Sequence, residues 1–424
     1  MTEGQLPAAY AGVDWATEKH DVCLVDPNGR VVAERVFAAD AEGLAAMAAW
    51  LVSQAGAPPE RIGVAIEVPH GVVVETLLER GFVVHSINPK QLDRFRDRFT
   101  VAGVKDDRLD ARVLADSLRT DGRLFRRLQN DEPDVIELRE WSRMTADLQR
   151  EDVALCNKAR QQLLRFFPQA LELTSDVGEA WMLALLEIVT TPADAHRRRR
   201  STIERILRDH RIRRHTADEV LQILRKPAVT VAPGTVEAAT GHLRLLAARI
   251  RLVRRQIDEC HEQLDAICKR MGAASAEEGR NNEPSDLLIL LSLPGIGRIV
   301  VATLLAEASR PLRDRDYQAL RTLSGVAPVT RSTGKRRKGP WVTSMRYACN
   351  LHLRNAMYHW ARVASQCDPR WKAQYAAARA RGHSHGRACR GIADRLMRIA
   401  IAMLKGRTLY DVSKLRANQP AVAA

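Results

Sequence analysis

The sequence predicts an α/β domain at the N-terminus, a spacer of long helices, and a mainly helical C-terminal domain. Three observations carry that reading. Alternating β-branched runs surround the turn "DPNG" at Asp26; stretches beginning near Ile136 and Val236 hold a helical period for over thirty residues each; and an apolar, glycine-interrupted run, "LLILLSLPGIGRIVVATLLAEA", begins at Leu287. A chain of 424 residues is long enough for two or three units that each bury a core. The expected divisions are 1–130, a helical spacer over 131–272, a linker over 273–284 in "GAASAEEGRNNEPSD", and a C-terminal domain over 285–415.

Residues 11–37 alternate in polarity and break at "DPNG", with an earlier polar turn at Thr17–His20, which predicts three consecutive antiparallel strands. A helix follows in "DAEGLAAMAAWLVSQAG", with Asp40 as its N-cap. "RIGVAIEV" is a buried strand, "GVVVETLLERG" a helix, "FVVHSINP" another strand, and residues 106–120 a further helix. The order βββαβαβ followed by helix is that of the RNase H-like fold, in which parallel strands extend an antiparallel trio.

That order gives positions to four acids. Asp14 lies on the first strand, Glu67 near the end of the fourth, and Asp107 and Asp110, three residues apart, on one face of the following helix. Carboxylates gathered in this way repel one another, and one or two Mg²⁺ ions, with Mn²⁺ as a substitute, would neutralise them and supply Lewis acids for phosphodiester chemistry. Taken singly, each acid has a plainer use as a strand end, an arginine partner or a solvated helix start. Asp106 fits an N-cap, off the face that Asp107 and Asp110 share.

The excess of 66 Lys and Arg over 51 Asp and Glu, formally +15, favours a polyanionic partner, above all nucleic acid. Arg197, Arg198, Arg199 and Arg200 could track phosphates, although a charge run is also an ordinary solvated face. In the C-terminal domain, Gly295, Gly297 and Arg298 form a turn resembling the helix-hairpin-helix, which offers backbone N–H groups to phosphate; a packed αα-corner is the other reading. Downstream, "TRSTGKRRKG" sets Ser332 and Thr333 among Arg331, Lys335, Arg336, Arg337 and Lys338. A hydroxyl there is a candidate nucleophile, or else a turn residue that contacts phosphate. Tyr358, Trp360, Trp371 and Tyr375, interleaved among basic helices, read as core, with stacking on bases as the other reading. The seven cysteines have no metal-like spacing and suit a reducing compartment, the longest apolar run is broken by Pro294 and charge, and no signal peptide is visible. The expected place is the cytoplasm, at the nucleoid when acting on DNA, with no membrane partner.

Together, "GVDWATEKHDVCLV", "IGVAIEVPHG", "KDDRLDARVLAD", "LPGIGRIVVATLLAE", "LSGVAPVTRSTGKRRKG" and "RGHSHGRACRGIADRLM" resemble the DEDD transposases of bacterial insertion sequences, the IS-one-ten group. The likeness covers most of the chain in the right order. It implies a RuvC-like N-terminal domain, a coiled-coil spacer and a C-terminal transposase domain. By position, Asp14, Glu67, Asp107 and Asp110 match the Mg²⁺-binding acids and Ser332 the serine that forms a covalent phosphoserine link with DNA. Many relatives place the serine directly before the glycine, where this chain has Thr333, so Thr333 is the alternative nucleophile. The likeness further implies double-stranded DNA at the element ends and target, a noncoding bridge RNA encoded by the element, and a homodimer or tetramer whose sites combine acids of one subunit with the serine of another.

The function expected is therefore a recombinase that cuts and rejoins DNA. A metal-dependent hydrolytic nuclease or junction resolvase would need the acids and neither hydroxyl. A non-enzymatic nucleic-acid-binding protein would need neither.

Overall fold

The turn at Asp26 forms as its residues dictate: the carboxylate accepts from the backbone N–H of Asn28 (2.9 Å) and Arg30 (2.8 Å), and Gly29 takes φ of +85°. In the computed structural model, which describes residues 6–99, 106–277, 283–331 and 342–411, this turn joins the second and third strands of a six-stranded sheet. The chain divides into two compact units, Met1–Asp131 and Glu132–Ala424.

The first unit contains β1 (Ala9–Trp15), β2 (Lys19–Val25), β3 (Val31–Ala38), α1 (Ala41–Ala55), β4 (Ile62–Ile66), α2 (Val72–Glu79), β5 (Val83–Ser86), α3 (Pro89–Arg96), α4 (Asp107–Asp121) and the short β6 (Arg126–Arg127). The sheet order is β3-β2-β1-β4-β5-β6. The first three strands are antiparallel, β4 and β5 join β1 in parallel, and β6 closes the edge antiparallel to β5. Asp40 caps α1 by accepting from Gly43 N at 2.7 Å, as its position in the sequence predicts.

Strand alternation divides the core in two. Val13, Val22, Val64 and Ile66 point to one face and pack with Leu44, Met47 and Leu51 of α1 and Leu77 of α2. Tyr10, Cys23, Val25 and Ala65 point to the other and pack with Leu92 of α3 and Ala111, Leu114 and Leu118 of α4.

The second unit is built on two long helices, α5 (Pro133–Phe166) and α10 (Thr235–Glu277). They run antiparallel. Arg270 near the end of α10 pairs with Asp134 at the start of α5 (2.8 Å), and Arg254, further back, binds Asp152 (2.9 Å). Between them the chain folds into α6 (Ala180–Ile188), α7 (Pro192–Arg197), α8 (Arg200–Asp209) and α9 (Ala217–Leu224). These four helices bury Trp181, Met182, Ile203 and Val220 in one core with Leu163 of α5 and Leu243 and Ile250 of α10. A segment noted in the sequence for its arginines is thus a small helical globule.

The remainder comprises α11 (Asp286–Leu291), α12 (Arg298–Glu307), α13 (Ser309–Arg313), α14 (Tyr317–Leu323), the hairpin strands β7 (Val329–Arg331) and β8 (Val342–Ser344), α15 (Leu351–Cys367), α16 (Pro369–Ala380) and α17 (His385–Gly406). Its core gathers Leu290, Val301, Leu304, Trp360, Trp371, Ile392 and Leu396, with both tryptophans fully buried as expected. Among the described residues no helix is long and apolar enough to cross a membrane.

Glu307 ties this core to α5. Its side chain is 2% exposed and accepts from Arg143 at 2.7 and 3.1 Å and from Asn350 at 2.6 Å. Burial alone would raise its carboxyl, but these partners hold it below the ordinary glutamate value. Removing one member of a buried pair strands the other charge, so Arg143→Ala should cost about 3 kcal/mol in urea unfolding. A loss below about 1 kcal/mol would mean that Asn350 and solvent suffice for Glu307.

Candidate functional site

The acids meet on the α4 face of the sheet because alternation and register put them there. Tyr10, Gly12 and Asp14 share that face of β1. On β2, Cys23 and Val25 share it with Asp21, which is the direct cross-strand partner of Asp14. On β4, Val13 pairs with Ile66, so Glu67, the next residue, emerges beside Asp14 on the face that Ala65 occupies two residues earlier.

Helix α4 covers that face closely. Its axis can approach because residue 12 is glycine: a Cβ there would run into Ala111 O and lie 2.6 Å from Ala115 N and 2.8 Å from Leu114 Cβ. Asp106 caps the helix, accepting from Arg108 N at 3.2 Å, as its position in the sequence suggested. The first turn then carries Asp107 and the buried Asp110.

The charges respond to this crowding. Burial, followed by the charges of Asp110, Asp107, Glu67 and Asp21, pushes the Asp14 carboxyl from 3.8 up to about 6. Two side-chain cations supply part of the counter-charge. Lys19 Nζ lies 3.2 Å from Asp21 and 3.5 Å from Asp107, and Arg96 Nε lies 2.6 Å from Asp110 Oδ1.

The donor set is carboxylate oxygen throughout, which suits a hard divalent cation, and a field strong enough to keep Asp14 partly protonated is one that a bound cation would relieve. As the side chains stand, no three His, Cys, Asp or Glu residues among those described are disposed to hold a metal ion. Asp110 and Asp107 would have to exchange their contacts with Arg96 and Lys19 for it.

Two family models match the chain in sequence: a DEDD transposase model of the IS110 type over residues 11–168, and "Transposase IS116/IS110/IS902 family" over 287–376. The first match spans all four acids. The "Putative transposase y4uE" of Sinorhizobium fredii is 51% identical over 63% of this chain and 71% of its own length. The "Mini-circle putative transposase for IS117" of Streptomyces coelicolor is 32% identical over 97% of both chains. The chain belongs to the IS110 transposase family. It is a DNA transposase, and its polyanionic partner is DNA.

The basic features of this IS110-family transposase divide in the structure. Arg198 donates to Ile188 O at 3.1 Å, and Arg200 pairs with Glu204 and Asp218; Arg197 and Arg199 are exposed and make no such contact among the described residues. At the glycine turn, Gly295 has φ of +70°, and a Cβ there would meet Ala364 N and lie 2.6 Å from Ala364 Cα of α15. Trp360 Nε1 donates to Pro294 O at 3.0 Å. These contacts account for Gly295 by packing. Gly297 precedes α12 with open space where its Cβ would be, and Arg298 is paired with Asp265 at 2.6 Å.

Ser332, Thr333, Lys335, Arg336, Arg337 and Lys338 lie outside the described residues. Arg331 ends β7, paired in register with Val342 of β8. Sequence reasoning missed Asp21, Lys19 and Arg96. Helix α3 was not predicted, and Asp21 stands in the polar turn-and-strand text "TEKHDV", where nothing marks it as facing Asp14.

Proposed function

We propose that this transposase breaks and rejoins DNA through a covalent phosphoserine link formed by Ser332, with Asp14, Glu67, Asp107 and Asp110 holding Mg²⁺, or Mn²⁺ in its place, in an RNase H-like, RuvC-like domain. The observation that supports it most directly is the elevation of Asp14 to about 6 by burial and by the three other DEDD acids, with Asp21 adding to them, on one sheet face under the first turn of α4. The bound cation would supply Lewis acidity toward phosphate oxygens.

The chain's own residues would do the rest. The four carboxylates would hold the cation against the sheet and so set where a scissile phosphate can sit. The hydroxyl oxygen of Ser332, or of Thr333 as the alternative, forms a bond to phosphorus while the bond from phosphorus to the sugar oxygen of the departing strand breaks. One phosphoester replaces another, so rejoining needs no external energy source. Arg331, Lys335, Arg336, Arg337 and Lys338 surround that hydroxyl in sequence and would neutralise the charge that develops. Gly297 and the exposed Arg197 and Arg199 are read as contacts to the nucleic-acid backbone; Arg198, Arg200 and Arg298 would join them by exchanging the partners described above, and Gly295 would serve the turn by its packing. The second unit is read as the helical spacer 131–272, the linker 273–284 and the transposase domain 285–415. A homodimer or tetramer and an element-encoded bridge RNA follow from the family likeness.

The test is a denaturing gel of the protein with labelled element-end DNA, Mg²⁺ and co-expressed flanking RNA. A covalent protein–DNA species should form with wild type and vanish in Ser332→Ala. Free cleaved ends that persist in Ser332→Ala, with no adduct from wild type, would identify a hydrolytic nuclease instead.

A further inference from the structure

We propose that the cavity between the N-terminal turns of α15 and α17 is a phosphodiester-binding pocket that grips the nucleic-acid strand next to the serine loop. It rests on the reading above, in which that loop meets DNA. The cavity measures about 190 Å³, room for a phosphate group and part of its sugar, and its charged lining residues are Arg354 and Arg390.

Among the described residues no carboxylate lines it. Arg354 Nη1 is buried with no hydrogen-bond partner, and the polar contact of Arg390 is to the thioether of Met345 at 3.2 Å, a weak acceptor. Both are part-buried and neither makes an ion pair among the described residues, whereas the part-buried Arg315, Arg321 and Arg407 of the same unit each pair with a carboxylate. A buried guanidinium nitrogen without an acceptor is costly, so Arg354, with the weakly engaged Arg390 beside it, is set for an anion that comes from outside. Burial raises the thiol of Cys389, another lining residue, and the positive charges of Arg362 and Arg390 nearby oppose that rise in part. The nearest acid in sequence, Asp394, is taken up by Arg321 at 2.8 Å and Tyr317 at 2.6 Å.

The backbone adds to this field. Arg354 lies in the first turns of the 17-residue α15 and Gly386 in the first turn of the 22-residue α17, so the cavity runs along the N-terminal halves of both helices, where the macrodipole field is positive. Tyr358 is fixed at the edge by its hydroxyl contact to His385 (3.0 Å), whose other ring nitrogen meets Tyr375 (2.8 Å). The remaining wall is mostly apolar, with Val326, Met345 and Met357, and adds the polar Ser324 and Asn355. Such a lining favours a phosphate carrying a sugar over free inorganic phosphate.

The place in the fold fits the role. Val326 comes just before β7 and Met345 directly follows β8, so the pocket sits at the foot of the hairpin whose far end leads into residues 332–341. A strand of three residues spans roughly 10 Å, so a strand of nucleic acid held at the foot would lie within a few nucleotides of that end.

The test uses full-length protein in EDTA, with fluorescein-labelled duplex DNA, single-stranded DNA and RNA of matched sequence, read by anisotropy across a salt series. Arg354→Gln and Arg390→Gln should each weaken binding roughly tenfold and lower the slope of log K against log salt by about 1. Arg310→Gln, which removes a surface partner of Asp314, should do neither. Hydrogen exchange of the wild type provides a readout that no misfolded variant can confuse: oligonucleotide should protect residues 351–358 and 385–393. Protection by DNA alone assigns the strand to DNA, and protection by RNA alone assigns it to the guide. Unprotected amides in both segments with every oligonucleotide, or unchanged slopes in both folded variants, would overturn the pocket. The assay is run in EDTA and reads binding without cleavage, whereas the adduct gel reads cleavage in Mg²⁺, so failure of the pocket and failure of the cleavage chemistry are read separately.

Discussion

Asp14→Asn should make the metal-free protein more stable above pH 6 and, in the same molecule, abolish the covalent DNA product. A carboxyl whose folded value is raised from 3.8 to about 6 contributes stability that is fully present below about 3.8 and is lost as pH rises through about 6. At pH 8 wild type folds with Asp14 ionised, desolvated and beside four other acids. Asparagine keeps the shape and removes that charge. In EDTA at pH 8 the variant should melt about 2–4 °C above wild type, and the two should converge near pH 4. Loss of a metal-binding carboxylate should meanwhile lower adduct formation by about 10³-fold or more. A variant that melts below wild type at pH 8 would mean that Lys19 and Arg96 already balance the cluster, and the acids would then be a structural ion-pair network.

Gly12→Ala should be the most damaging single methyl in the first unit. The added carbon would overlap Ala111 O and stand 2.6 Å from Ala115 N, both backbone atoms of α4, which cannot move without the helix. We expect a loss of about 3 kcal/mol or more in chemical denaturation, at the upper end for overpacking, together with loss of the Asp14–Asp110 proximity. Gly297→Ala is the contrasting case. Nothing lies within 4 Å of its would-be Cβ, so the cost should stay below about 1 kcal/mol. Equal tolerance at both positions would show that α4 does not depend on the glycine for its approach.

Much of the first unit was legible because its information is local. "DPNG" dictates its own turn, Asp40 and Asp106 cap the helices that follow them, and β-branched alternation marks the strands. The DEDD acids were legible for a related reason: element order fixes which strand ends adjoin. Asp21 was not, since its burial arises only from register with Asp14 across a hairpin. Arg96 was hidden on α3, a helix of eight mostly polar residues, "PKQLDRFR", with Leu92 its single fully buried residue, too short a stretch to declare itself in the text. The helical globule between α5 and α10 was obscured by its arginines, which are conspicuous in text and sit on its outside. For Gly12, the decisive neighbour lies about a hundred residues away in sequence, so the text shows a glycine in a strand and no reason for it.

The antiparallel pair of α5 and α10 has a mechanical consequence. Two separate cores are built on the same two uninterrupted helices: one holds Leu163 of α5 with Leu243 of α10, the other Leu138 of α5 with Leu264 of α10. Leu138 and Leu163 are 25 residues apart, about 37 Å along the axis at 1.5 Å per residue. No proline interrupts either helix between the two cores, and arginine–carboxylate pairs such as Arg249–Glu151 and Arg254–Asp152 stitch the helices together along the way. The pair is therefore a beam with no helix breaker between its two loads: changing the spacing between the basic globule at one end and the core on α12 at the other would mean breaking a continuous hydrogen-bond ladder and the ion pairs across it.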